Sequence, residues 1–228
     1  MTARTTQAIR HLTAGFTEMG MAVSEQIYQA TTAFARHDPD RARQVIEADG
    51  AINETELRLA RRSLRVLALQ QPQASAFRAV MTVVKASVDL EQIGDNAVAI
   101  ARETLLLPTA TGLPSVAELL GQMTLAIQTM LEQGLDAYLR QEPDLARQVA
   151  ESDLTIDRDF VRLRHHLIRE LGADPKLAAT ITSYLVVARL LEHIGDHVVN
   201  VTEWVVYGAT GQLVELNPGK LDRRRVTG

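Results

Sequence analysis

Two short peptides hold the residues best placed to do chemistry. Leu90-Glu91-Gln92-Ile93-Gly94-Asp95 returns, 101 positions on, as Leu191-Glu192-His193-Ile194-Gly195-Asp196. Each contains Glu-x-x-x-Asp, which on an α-helix sets two carboxylates one turn apart on the same side. Like charges that close raise one another's pKa unless something positive sits between them. Basic side chains can serve, and so can a hard cation held by oxygen ligands.

A second group of acids sits about 40 residues upstream of each peptide. Asp49 and Glu56 flank the apolar seam Val45, Ile52 and Leu59, with Asn53 between them; Asp153 and Asp157 occupy the matching places in the second copy. If the segments carrying these residues lie side by side, each half gathers four oxygen-bearing side chains. The sets are Asp49, Asn53, Glu91 and Asp95 in one half, and Asp153, Asp157, Glu192 and Asp196 in the other. Such sets suit Mg²⁺, Mn²⁺ or Ca²⁺, and bridging carboxylates admit multinuclear iron. The competing reading is a solvated acidic face, with Arg189 pairing Glu192 at i+3 and Arg102 reaching back toward Asp95. His193 and His197, four apart, could hold Zn²⁺. Gln92 and Asn96 stand there in the first half, so such a site would be confined to the second.

At about 100° per residue, with Ile93 at zero, Glu91 lies near 160° and Asp95 near −160°. They face away from their own seam, which predicts a surface or groove site open to solvent, a neighbouring helix or another protein. Gly94 and Gly195 are conspicuous because glycine inside a helix costs roughly 1 kcal/mol relative to alanine. Its recurrence at one position implies close helix approach or backbone access beside the acids.

The elements that must position these groups are long helices. Phe34-Ala35-Arg36-His37-Asp38-Pro39-Asp40 aligns with Tyr138-Leu139-Arg140-Gln141-Glu142-Pro143-Asp144, and Ala42-Arg43-Gln44-Val45 with Ala146-Arg147-Gln148-Val149. The chain is therefore an internal repeat. Pro39, Pro72, the stretch Pro108–Pro114, Pro143 and Pro175 divide it into six helical segments, roughly 5–37, 40–70, 74–107, 115–141, 144–171 and 176–207. Asp38 and Asp174 suit N-caps, and Ser115-Val116-Ala117-Glu118 reads as a capping box. Ala86, Leu90, Ile93, Ala97 and Ile100, matched by Val187, Leu191, Ile194, Val198 and Val201, form a bundle seam. The expected fold is all-α: two tandem antiparallel three-helix bundles related by a pseudo-twofold. The repeats are taken as 1–110 and 111–212, followed by a flexible tail over 213–228.

Bulk properties narrow the function. The chain has 228 residues and a net charge of −4, which argues against nucleic-acid binding; Arg223-Arg224-Arg225 is too short a run to change that. There is no cysteine, so disulfides and thiolate metal sites are excluded. The first 20 residues lack a signal-peptide plan. The apolar stretch 184–201 is interrupted by Arg189, Glu192, His193, Asp196 and His197, which argues against a membrane span. A cytoplasmic protein is expected, with docking onto a membrane protein left open. No phosphate loop, nucleophile elbow or Glu-x-x-His di-iron motif is present, so no enzyme is expected.

The repeated signature resembles that of the PhoU family. The residues that carry it are Asp89-Leu90-Glu91-Gln92-Ile93-Gly94-Asp95 in the first half. In the second they are Ala188-Arg189-Leu190-Leu191-Glu192-His193-Ile194-Gly195-Asp196-His197, followed by Asn200 and Glu203. Gln92 and His193 replace the family's usual arginine, and Asn53 replaces an acid, which weakens the first site in charge. The resemblance implies metal ions on the Glu-x-x-x-Asp acids, with Mg, Mn, Fe or Zn all admissible. It also implies a homodimer that restrains phosphate uptake and phosphate-starvation signalling by contacting the ATPase subunit of a phosphate ABC transporter and a sensor histidine kinase. The alternative is a purely structural interaction module with salt-bridged acidic faces and no metal.

Overall fold

The computed structural model describes residues 3–107 and 113–216. It contains six long helices: α1 (Ala3–Arg36), α2 (Pro39–Gln70), α3 (Ala74–Leu106), α4 (Pro114–Arg140), α5 (Pro143–Ala173) and α6 (Ala178–Thr210). A 3₁₀ turn, Pro175–Leu177, leads into α6. Among the described residues there is no strand. The Arg223–Arg225 run and most of the expected tail lie outside the described residues, as does most of the Pro108–Pro114 connection.

The same turn is built twice. His37 and Gln141 end α1 and α4 in the left-handed region, at φ 52° and 55°. The next residue's N–H then reaches five residues back, Asp38 to the Ala33 carbonyl at 2.9 Å and Glu142 to the Ala137 carbonyl at 3.0 Å. These bonds satisfy helix-end carbonyls that would otherwise be orphaned. Proline follows at the first helical position, where its missing N–H costs nothing. Asp38 caps α2 by accepting from the Arg41 N–H at 3.0 Å, and Asp174 caps the 3₁₀ turn through the Lys176 N–H.

The capping box expected at Ser115 does not form. The helix starts one residue earlier, at Pro114, because the proline ring already has helical φ. Ser115 Oγ lies instead 3.1 Å from His166 Nε2 on α5. Asp49-Gly50, a turn signal on paper, is carried through in uninterrupted helix, since Val45, Ile52 and Leu59 bury one continuous face.

Each half is a three-helix bundle: α1, α2 and α3 pack on one another, as do α4, α5 and α6. The seam residues Ala86, Leu90, Ile93, Ala97 and Ile100 are fully buried, as are Leu191, Ile194, Val198 and Val201. The bundles join along α3 and α6, which make the most extensive helix–helix contact in the molecule. Arg78 meets Gly208, Thr82 meets Trp204 and Asp89 meets His197; one number rises as the other falls, so the two helices are antiparallel. On the other side α1 meets α4 through Phe16 and Tyr138, whose rings are edge-on at 4.7 Å. By length and composition the stretch Pro175–Thr210 could cross a membrane (mean hydropathy 1.3). In this fold it is the central helix of the second bundle, packed against α3, α4 and α5.

Candidate metal centre

In the second half the acids come together at the α5–α6 contact. Asp153 is 0% exposed, Asp157 6% and Glu192 7%; Asp196 is partly buried. Ligand atoms of Glu192, His193 and Asp196 all lie within 4.8 Å of one another. Gly195 permits the approach: a Cβ placed there would sit 2.6 Å from Asp153 Oδ1. The bare glycine thus lets an α5 carboxylate rest against the α6 backbone between Glu192 and Asp196. Asp157 lies one turn further along α5 on the same side and is also buried.

Of the surroundings the helix angles left open, solvent, a neighbouring helix or another protein, the second half has the neighbouring helix. The two carboxylates do face away from their own seam, but α5 covers that side of α6. Angles measured on one helix say nothing about a second neighbour. The site is an interhelical cleft.

An arginine and a histidine share it. Arg189 Nη1 is 3.0 Å from Glu192 Oε2, as an i,i+3 pair, and its guanidinium lies 5.7 Å from the Phe160 ring. His193 Nδ1 is 3.7 Å from Asp196 Oδ2. The His193/His197 zinc pair does not assemble. His197 Nδ1 lies 3.0 Å from Asp89 Oδ1 on α3, so that histidine belongs to the joint between the bundles.

The first half gathers the equivalent residues differently. Burial raises the pKa of Glu91 above the ordinary 4.5; the hydrogen bond from Gln92 opposes this, and the like charges of Asp95, Glu56 and Asp49 add to it. Glu56, whose place in the second half is taken by Phe160, thus joins the cluster that Asp49, Glu91 and Asp95 form. Asp49 is already engaged: Gln26 Nε2 donates to one of its oxygens at 3.3 Å and Asn53 Nδ2 to the other at 3.1 Å. Gln26 Oε1 lies where Asp153 lies in the other half, 3.0 Å from a Cβ added to Gly94. Asp95 is exposed, and among the described residues no ion pair joins it to Arg102.

The donor chemistry of the second half fits a divalent ion. Glu192 and Asp196 offer oxygens, His193 beside them can add a nitrogen, and the buried Asp153 reaches the α6 backbone at Gly195 from α5. The first half fits less well, because amide N–H groups hold both oxygens of Asp49. Gln26 was missed in the sequence: it lies on α1, and nothing in its spacing ties it to Asp49.

Comparison with known proteins completes the picture. The PhoU domain family matches residues 16–104 and again 120–205. The phosphate-specific transport system accessory protein PhoU homolog of Pseudomonas putida is 35% identical over 193 residues, 85% of this chain and 75% of that one. The Escherichia coli K12 phosphate-specific transport system accessory protein PhoU is 33% identical over 196 residues, 85% and 80% of the respective chains. The crystal structure of the phosphate transport system regulatory protein PhoU from Streptococcus pneumoniae superposes with a TM-score of 0.86 at 30% identity, covering 92% of this chain and 99% of that one. That of PhoU from Pseudomonas aeruginosa gives 0.86 at 31%, covering 91% and 99%. With the signature present twice and two bundles aligned over nearly their whole length, this chain belongs to the PhoU family.

Proposed function

We propose that this chain is an accessory and regulatory component of a phosphate-specific transport system. It acts as a non-enzymatic cytoplasmic adaptor, a homodimer that restrains phosphate uptake and phosphate-starvation signalling. Its partners are the ATPase subunit of the transporter and a sensor histidine kinase. The names of its relatives support the transport role. The observation that carries the mechanism is the seating of Asp153 against Gly195, between Glu192 and Asp196.

Asp153, Asp157, Glu192 and Asp196, with His193 beside them, would hold a divalent or transition-metal ion. Mg, Mn, Fe and Zn all suit such donors. When bound, the ion supplies positive charge that relieves repulsion among the acids. The chain's own residues do the rest. Carboxylates from α5 and α6 fix one helix against the other, and so set the shape of the face offered to a partner.

The test is replacement of Glu192 and Asp196 by alanine, with bound Mn, Mg, Fe and Zn measured by elemental analysis. Metal content should fall in proportion to the second site; unchanged stoichiometry removes the site assignment. The same variant, returned to a deletion strain, should lose restraint of phosphate uptake. A second reading draws on the Arg189–Glu192 pair: a structural module neutralised by its own side chains. It predicts that a chelator alters neither thermal stability nor binding of the transporter ATPase.

A further inference from the structure

A trough of about 610 Å³ runs between the first half of α1 and the second half of α2, and none of the acids of the two clefts lines it. Arg4 and His11 line it from α1, and Arg58, Arg62 and Arg65 from α2. The three α2 arginines fall at i, i+4 and i+7, so they share one face. Leu12, Leu59 and Val66 are buried beneath the trough, and the apolar surface open between these cationic walls comes from Ala8, Ala14 and Leu69. Ala8, Ala14 and Gly15 keep the α1 wall low; a Cβ on Gly15 would already come within 3.0 Å of Leu59 Cδ2. Leu69, 70% exposed, stands at the mouth. One acid, Glu18, lies at the far end.

Among the described residues Arg4, Arg62 and Arg65 make no ion pair, and Arg58 Nη2 donates only to the Thr55 hydroxyl, at 2.9 Å. The second bundle offers a contrast. Arg162 stands where Arg58 stands and pairs with Asp159 at 3.3 Å; His166 stands where Arg62 stands and lies 3.5 Å from Glu170. In the first bundle Thr55 and Val66 occupy the places of those two acids. In the second copy Arg162 has a carboxylate partner on its own helix, whereas the first copy leaves the guanidinium groups of Arg4, Arg58, Arg62 and Arg65 along the trough. The excess is local, since the whole chain carries a net charge of −4.

We propose that this trough docks an acidic amphipathic helix of a partner protein. Two helices side by side present a groove parallel to their axes, which a third helix fills by laying its apolar stripe on the apolar surface between the walls. From Arg4 to Glu18 the α1 wall is about 21 Å long, enough for about four turns. Glutamates and aspartates flanking such a stripe meet arginines on both walls, where planar guanidinium groups bind carboxylates in pairs. Inorganic phosphate would use the arginines but has no use for that apolar surface. A membrane plane would meet a concave surface that it cannot follow. The accessory-protein reading says only where such a helix comes from, and the trough stands without it.

The test uses the full chain and defined probes. A fluorescent peptide of about 18 residues, with leucines at helical i, i+3, i+4, i+7 spacing and glutamates on both flanks, is titrated by anisotropy. Its analogue with lysine for glutamate, inorganic phosphate, and vesicles with and without anionic lipid are titrated alongside. The acidic peptide should bind, weaken steeply with salt, and lose at least tenfold in affinity with R62E/R65E. R62Q/R65Q, which removes charge without reversing it, should lose less, and the thermal melts of both variants should match the parent. Binding of the acidic peptide that ignores both variants, or equal binding of the lysine peptide, overturns the proposal. So does arginine-dependent binding of vesicles or phosphate in the absence of peptide binding. E192A/D196A should leave peptide affinity unchanged, so failure of the metal or transport reading is seen separately from failure of this one.

Discussion

Gly195 and Asp153 are held so close that the smallest side chain would separate them: a Cβ on Gly195 would lie 2.6 Å from Asp153 Oδ1. Asp153 is fully buried and has a short side chain, so it cannot step aside without moving α5. G195A should therefore cost roughly 1–3 kcal/mol of stability despite the better helix propensity of alanine. G94A meets the end of the longer Gln26 side chain at 3.0 Å, which can rotate, and should stay within about 1 kcal/mol of the parent. Urea unfolding of both variants, with and without added Mn²⁺, checks the contrast. Only G195A should also lose the metal-dependent shift.

The two halves differ most simply at Asn53 and Asp157. Asn53 donates its amide to Asp49, which holds that carboxylate without any ion. N53D removes the donor and places a second negative charge one turn away. The metal-free protein should lose roughly 1 kcal/mol or more, and the variant should bind additional divalent ion. D157N should do the reverse in the second half, weakening metal binding while leaving the fold intact. Isothermal titration with Mn²⁺ on the pair would show the two halves exchanging rank; equal stoichiometry in both variants would contradict the assignment of these positions.

Much of this was legible in the sequence, for reasons specific to each element. The seams at Leu90–Ile93 and Leu191–Ile194, the prolines after His37 and Gln141, and the doubled Glu-x-x-x-Asp follow from helical period and local turn chemistry. Those interactions span a few residues, so spacing records them. Burial of Glu192 was not legible, because it depends on α5 packing across α6. The engagement of Asp49 by Gln26 is a contact between separate helices. Ser115, released from the cap because Pro114 already starts the helix, finds its partner in His166 on α5, 51 positions away. Each of these misses lies in a side chain whose partner is on another helix.

Glu91 gives a pH prediction. Burial, with Asp95, Glu56 and Asp49 nearby, holds its carboxyl above the ordinary 4.5, so the folded protein takes up this proton more readily than the unfolded chain. The stability tied to that proton is fully present below 4.5 and is lost as pH rises through the raised folded value. At neutral pH the ionised group is a liability. In metal-free protein E91Q should melt higher than the parent at pH 7, and the advantage should vanish below pH 4.5. Glu203, raised mainly by burial against the opposing bond from the Leu216 N–H, works in the same direction, so the comparison is best repeated in an E203Q background.

The joint between the bundles depends on a carboxylate outside both acidic clefts. Asp89 Oδ1 lies 3.0 Å from His197 Nδ1 and accepts from Asn200 Nδ2 at 2.9 Å, so one oxygen of α3 meets two side chains of α6. The pseudo-twofold does not repeat this contact, because Leu190 and Asn96 stand at the mates of Asp89 and His197. D89A leaves two half-buried polar groups short of an acceptor and should cost about 1–3 kcal/mol. A double-mutant cycle of D89A with N200A should give a coupling energy of about 0.5 kcal/mol or more. If the two halves are coupled through α3 and α6, D89A should also separate their unfolding into two steps, read by hydrogen exchange on α2 and α5. A single transition in D89A, with additive effects in the cycle, would assign the joint to the apolar seam alone.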